Sequence, residues 1–166
     1  YRNGEHPYAA DGVVYFEATG PDALSASLRA VDGSSGELLW DFPVGSFIAT
    51  SPLIDEDIIY IGTYDYLDSP TKTRHIYAMN RLTGEVIWEY QSDLDLAGKF
   101  ALDDSRLYFG ADGGVVLARD AATGSPGWTA RVGQLSNQPS LIGDLVYIGT
   151  KDGNLIALNA EDGAQA

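Results

Sequence analysis

Cysteine is absent from the 166 residues, which removes disulfides, thiolate metal sites and cysteine nucleophiles. Positive charge is scarce: 10 Lys plus Arg stand against 24 Asp plus Glu, a formal charge of −14. A surface this acidic repels phosphate, so nucleic acid is not expected as a partner. No apolar run approaches the roughly 18 residues that a spanning helix needs, so no membrane span is expected. A sustained helical period is also missing.

What remains is short β-type runs set between turn residues. Asp occurs 17 times, several copies standing directly before Gly, as in Asp32-Gly33, Asp112-Gly113 and Asp152-Gly153. Such pairs supply the turns of an all-β chain. The same acidity also fits a salt-adapted surface, as in a protein from a high-salt organism.

A repeat organises these runs. Trp40, Trp88 and Trp128 each follow a glycine by four positions, Gly36, Gly84 and Gly124. Each glycine follows an alanine by six, Ala30, Ala78 and Ala118, with Asp32, Asn80 and Asp120 two places after the alanine. Ala157, Asn159 and Gly163 begin a fourth copy. Upstream of each copy lies a β-type run centred on a tyrosine, Tyr15, Tyr60, Tyr108 or Tyr147, and eight residues earlier stands Pro7, Pro52, Phe100 or Pro139. These anchors are 45, 48 and 39 residues apart. Each unit reads as four short strands, the pattern of a β-propeller blade. The blades fall at about 7–48, 49–96, 97–135 and 136–166, within a single domain segment spanning 1–166, and the last lacks its outer strand.

The unit S-P-L-I…D-I-I-Y-I-G…I-Y-A-M-N-R-L-T-G-E-V-I-W resembles the repeat of pyrroloquinoline-quinone-type (PQQ-like) propellers, including the tryptophan-docking motif A-x-D-x-x-x-G-x-x-x-W. The resemblance implies an all-β fold of four-stranded antiparallel blades in a ring of seven or eight. The family holds calcium-dependent quinoprotein dehydrogenases and non-catalytic propellers, among them the lipoprotein of the outer-membrane barrel-assembly machinery. In the dehydrogenases, calcium, a catalytic Asp and a vicinal disulfide gather around the quinone near the channel. The residues placed there in this chain by position in the repeat, His6, Ser51, Lys99 and Gln138, bring no carboxylate, whereas calcium takes six to eight oxygens. No catalytic residue, metal site or cofactor is therefore expected; PQQ and calcium belong to the alternative in which the chain is a fragment of a dehydrogenase. His6 and His75 lack metal-ligand spacing, and the run Asp93, Asp95, Asp103 and Asp104 reads as loop charge.

The tryptophans, their glycines and the alanines read as packing between blades, with the indole N–H directed to a backbone carbonyl. The second-strand tyrosine and third-strand alanine are 15, 18, 10 and 10 residues apart in the successive units, so the first two carry insertions, Glu17 to Ser27 and Thr63 to Arg74. The second holds Tyr64, Asp65, Tyr66, Asp68, Lys72 and Arg74, an aromatic and charged set suited to a partner; the alternative is a tolerated surface extension. The expected function is a non-enzymatic scaffold for protein or ligand binding, in an extracytoplasmic setting (periplasmic, secreted or cell-surface). Besides the dehydrogenase fragment, the other alternative is the sensor propeller of a larger receptor or kinase. Four blades leave open sheet edges. The expected complement is either further blades of a longer chain or a homodimer that completes an eight-bladed ring.

Overall fold

The structure, a computed structural model, describes residues 7–20, 25–45, 47–65 and 73–166. Among the described residues it contains sixteen strands and no helix. The chain divides into two compact units, up to Asp93 and from Leu94 onward.

In unit one, β1 (Tyr8–Ala10), β2 (Val13–Thr19), β3 (Ala26–Asp32) and β4 (Leu38–Gly45) form an antiparallel sheet in chain order. Alternate residues of β3, Ala26, Leu28 and Ala30, are buried, the period of two that a strand imposes. The second sheet is built from β5 (Phe47–Ile48), β6 (Leu53–Asp55), β7 (Ile58–Asp65), β8 (Thr73–Asn80) and β9 (Val86–Ser92). Both β5 and β6 pair with β7, so this sheet begins at Phe47, ahead of the boundary at 49 that the repeat spacing suggests. Between them the ladder is bridged by a side chain: the Gly62 amide donates to Thr50 Oγ1 at 2.8 Å.

Unit two repeats the plan. Its first sheet is β10 (Leu96–Leu102), β11 (Arg106–Ala111), β12 (Val115–Asp120) and β13 (Pro126–Arg131), with a register shift in β10 between Ala97 and Ala101. The other is the three-stranded sheet β14 (Ser140–Ile142), β15 (Leu145–Gly149) and β16 (Leu155–Asn159). Here Asn137 takes the part of Thr50, its Oδ1 accepting from the Gly149 amide at 2.7 Å. The sheets are the blades of a β-propeller.

The docking motif has a specific physical role at each position. Asp32, Asn80, Asp120 and Asn159 cap the turn after the third strand, accepting through Oδ1 from amides two or three residues on. The motif glycines close those turns with φ between 70° and 75°. In unit one the indole of Trp40 lies against Gly84 of the next blade and donates to the Arg81 carbonyl at 3.0 Å. The Tyr15 hydroxyl donates to the same carbonyl at 3.2 Å. In unit two, Trp128 and Tyr108 converge on the Ala160 carbonyl at 2.9 and 3.1 Å, and the indole lies on Gly163. In unit one a single backbone oxygen thus receives both polar hydrogens of a buried aromatic pair, whose rings stand 5.9 Å apart; in unit two the Tyr108 hydroxyl shares its one hydrogen between the Ala160 carbonyl and Asp103 Oδ2, and its ring stands 5.7 Å from that of Trp128.

The caps make stability depend on acid. Hydrogen bonds from Ser34 and Ser35, the Ser34 hydroxyl foremost, hold the Asp32 carboxyl far below its ordinary range. The unfolded chain, titrating near 3.9, then binds the proton more readily than the folded one. The contribution is full above about pH 4 and disappears as pH falls toward the folded value. Asp32→Asn keeps the cap, as Asn80 does naturally, but removes the charge. Its urea midpoint is expected to fall less than that of the unmodified chain between pH 7 and pH 2.5; equal falls would remove Asp32 as a source of acid sensitivity.

Candidate functional site

The described ends of the two insertions are largely strand. Tyr64 pairs with Arg74 and Asp65 with Thr73 across β7 and β8, so the hairpin ladder runs on into the second insertion. β2 and β3 likewise pair as far as Thr19 and Ala26, at the two ends of the first. Tyr, Thr and Ile favour the extended backbone, so the ladder continues where repeat spacing alone suggests a loop. Tyr66, Asp68 and Lys72 lie outside the described residues.

At the base of this hairpin the side chains form a compact group. Arg74, 8% exposed, places its guanidinium carbon 5.4 Å from the centre of the Tyr64 ring. The ring of Phe47 in β5 lies tilted against that of Tyr64, with their centres 5.2 Å apart. Further along β8, His75 stacks on Tyr77 at 5.6 Å, and Phe42 from the first blade meets Tyr77 edge-on at 5.2 Å. His75 Nδ1 approaches Glu89 Oε1 at 2.5 Å. His75 is therefore part of a half-buried stack in a strand. Phe42 and Phe47 escape the sequence reading because they stand outside the insertion. The available signal was an aromatic residue two places after Trp40 and another two after Gly45.

The channel candidates are placed as follows. His6 lies outside the described residues. Ser51 is half-buried in the connection between β5 and β6 of unit one. In unit two, Lys99 is exposed within β10 and Gln138 is exposed just ahead of β14. Gln138 packs on the chain beside Lys99: a Cβ added to Gly98 would come within 2.3 Å of its Cγ. A hydroxyl, an ammonium and a carboxamide do not make the oxygen-rich, anionic cage that calcium requires. Among the described residues, no group of three or more His, Asp or Glu side chains is arranged to hold a metal ion. Asp103 is a turn cap, accepting from the amides of Ser105 and Arg106 at 2.8 and 2.7 Å and from the Tyr108 hydroxyl at 2.5 Å.

The blades, their paired docking bonds and the repeat spacing define a comparison that the family model answers. The model described as outer membrane protein assembly factor BamB matches residues 2–94 and again 72–166. The chain belongs to this PQQ-like, BamB-type family. Within the BamB-type group, the assembly factor BamB of Nitrosomonas eutropha is 28% identical over 113 residues, covering 68% of this chain and 25% of its own. Tetrathionate hydrolase of Acidithiobacillus ferrooxidans is 27% identical over 160 residues, covering 85% of this chain and 31% of its own. The chain thus spans about a third or less of the length of these relatives. A europium-containing methanol dehydrogenase superposes with a TM-score of 0.68 at 16% identity, over 96% of this chain and 40% of that one, which is a likeness of fold.

Proposed function

We propose that this BamB-type segment is a non-enzymatic, extracytoplasmic scaffold that holds a protein partner on the lengthened hairpin of its second blade. The observation that carries this reading is the Arg74, Tyr64 and Phe47 group at the base of that hairpin. Tyr and Arg held by neighbours before binding are the residue types that dominate interface energies, because little conformational freedom is lost on contact. The assembly-factor relative supports a protein partner rather than a small substrate. No cofactor is part of this reading.

A photo-crosslinking residue in place of Tyr64 is expected to trap one defined envelope protein in cells. Replacing residues 66–72 by Asn-Gly, which keeps the Asp65–Thr73 pair and closes it with a two-residue turn, should abolish binding of that protein while leaving the thermal midpoint unchanged. Undiminished binding would refute the hairpin as the contact.

The tetrathionate hydrolase relative favours a second, enzymatic reading. The two separate on a direct titration: the scaffold gives no saturable thermal shift with pyrroloquinoline quinone plus calcium and consumes no tetrathionate. Saturable binding or turnover would overturn the non-enzymatic reading.

A further inference from the structure

Within each unit, one blade presents a sheet face to the blade that follows. In β2 and β3 that face is carried by Tyr15 with its cross-strand partner Ala30, and by Leu28 two places before the alanine. All three are fully buried, in one cluster with Ile59, Ile61 and Met79 of the second blade. Unit two repeats this: Tyr108, Ala118 and Val116 of β11 and β12 are buried with Val146, Ile148 and Leu158 of the last blade, β14 to β16. Each joint also holds a hydrogen bond from the tyrosine hydroxyl to a main-chain carbonyl.

Two faces of this kind are left uncovered among the described residues. On the last blade, Tyr147 pairs with Ala157 and Gly149 with Leu155, so Tyr147, Ala157 and Leu155 share one face. Leu155 stands two places before its motif alanine, as Leu28 and Val116 do, yet it is 69% exposed where they are 0% exposed. Tyr147 is half-buried, and its hydroxyl has no partner among the described residues, in contrast to Tyr15 and Tyr108. On the first blade the opposite face, Val14, Phe16 and Val31, is only half-buried, whereas the matching Ile59, Ile61 and Met79 are fully buried. Gly33 there takes the place of Arg81. Its N–H donates to the Gly12 carbonyl at 2.7 Å, as that of Arg81 does to Asp57, and its own carbonyl has no donor among the described residues.

We infer that the last blade of one copy of this chain docks on the first blade of a second copy. The Tyr147 hydroxyl of one copy donates to the Gly33 carbonyl of the other, while Leu155 and Ala157 lie on Val14, Phe16 and Val31. A second copy fits because the chain itself carries both halves of the joint, an unused donor on one face and an unused acceptor on the other. The contact continues the joint already made inside each unit. It is head-to-tail, two unlike faces meeting, so a closed pair of copies holds two equivalent seams. Copies of charge −14 repel each other, so the apolar faces have to outweigh that repulsion, and screening by salt strengthens the pair. The hairpin proposed above plays no part in this contact.

Sedimentation of the whole chain over about a hundredfold range of concentration is expected to show a reversible dimer that tightens as NaCl is raised. A monomer at every concentration, or a dimer that weakens with salt, would overturn the inference. Tyr147→Phe should raise the dimer dissociation constant at least about fivefold, with the thermal midpoint of the dilute chain unchanged; an unaltered constant would remove the hydroxyl from the seam. Leu155→Asp and Val14→Asp, each checked for an unaltered circular dichroism spectrum, should each abolish the dimer alone. An equimolar mixture of the two should recover it in part, because one of the two seams is then free of substitutions. A dimer that survives either substitution, or a mixture that stays monomeric, would sink the head-to-tail arrangement.

Discussion

Gly84→Ala is expected to destabilise unit one by about 2–5 kcal/mol, the sum of left-handed backbone strain and overpacking. Gly36→Ala, at the same motif position one blade earlier, is expected to cost only the strain, about 1–2 kcal/mol. Both glycines have φ near 75°, so an added Cβ is strained at either site. Only at Gly84 would that Cβ also meet an indole, 2.8 Å from Trp40 Cδ2, whereas at Gly36 nothing lies within 4 Å. Trp40 is rigid and 8% exposed, so it cannot swing aside as a flexible side chain would. Chemical denaturation of the two variants measures the difference directly. Equal losses would mean that the indole does not need the glycine seat.

Trp40→Ala is expected to lose about 3–5 kcal/mol, the range for deleting a large buried aromatic. Trp40→Phe should recover most of that, because the ring still covers Gly84 and faces Tyr15. What Phe cannot restore is the indole N–H to the Arg81 carbonyl, although Tyr15 still donates there. The residual loss is then about 1 kcal/mol, since the acceptor is not orphaned. Thermal or urea midpoints of the pair decide the matter: a Phe variant as unstable as the Ala variant would make the hydrogen bond, rather than ring packing, the dominant contribution.

Much of this fold was legible before any coordinates. The spacing of Ala, Asp or Asn, Gly and Trp is fixed by a tight turn and an indole that must reach the next blade, so three copies suffice to expose it. The tyrosines read as packing are buried at Tyr15, Tyr60 and Tyr108, with half-burial at Tyr147. The extent of the second hairpin was not legible, because insertion length does not tell whether added residues continue a ladder or leave it. Nor was the ion pair of Arg81 with Asp11. Asp11 and Arg81 are 70 residues apart and meet only when two blades lie side by side.

The peptide unit at Arg81 has one further consequence. Its N–H donates inward to the Asp57 carbonyl of its own blade at 2.9 Å, while its C=O receives Trp40 and Tyr15 from the neighbour. Ala160 does the same with Asp144, Trp128 and Tyr108. Because the receiving blade contributes only main-chain atoms to the joint, the side chain at that position makes none of its hydrogen bonds. Any residue except proline keeps the joint, so the position is free to vary: arginine in one unit, alanine in the other. Duplicated blades can therefore diverge in the side chain packed at this position without relearning how to hold on to one another.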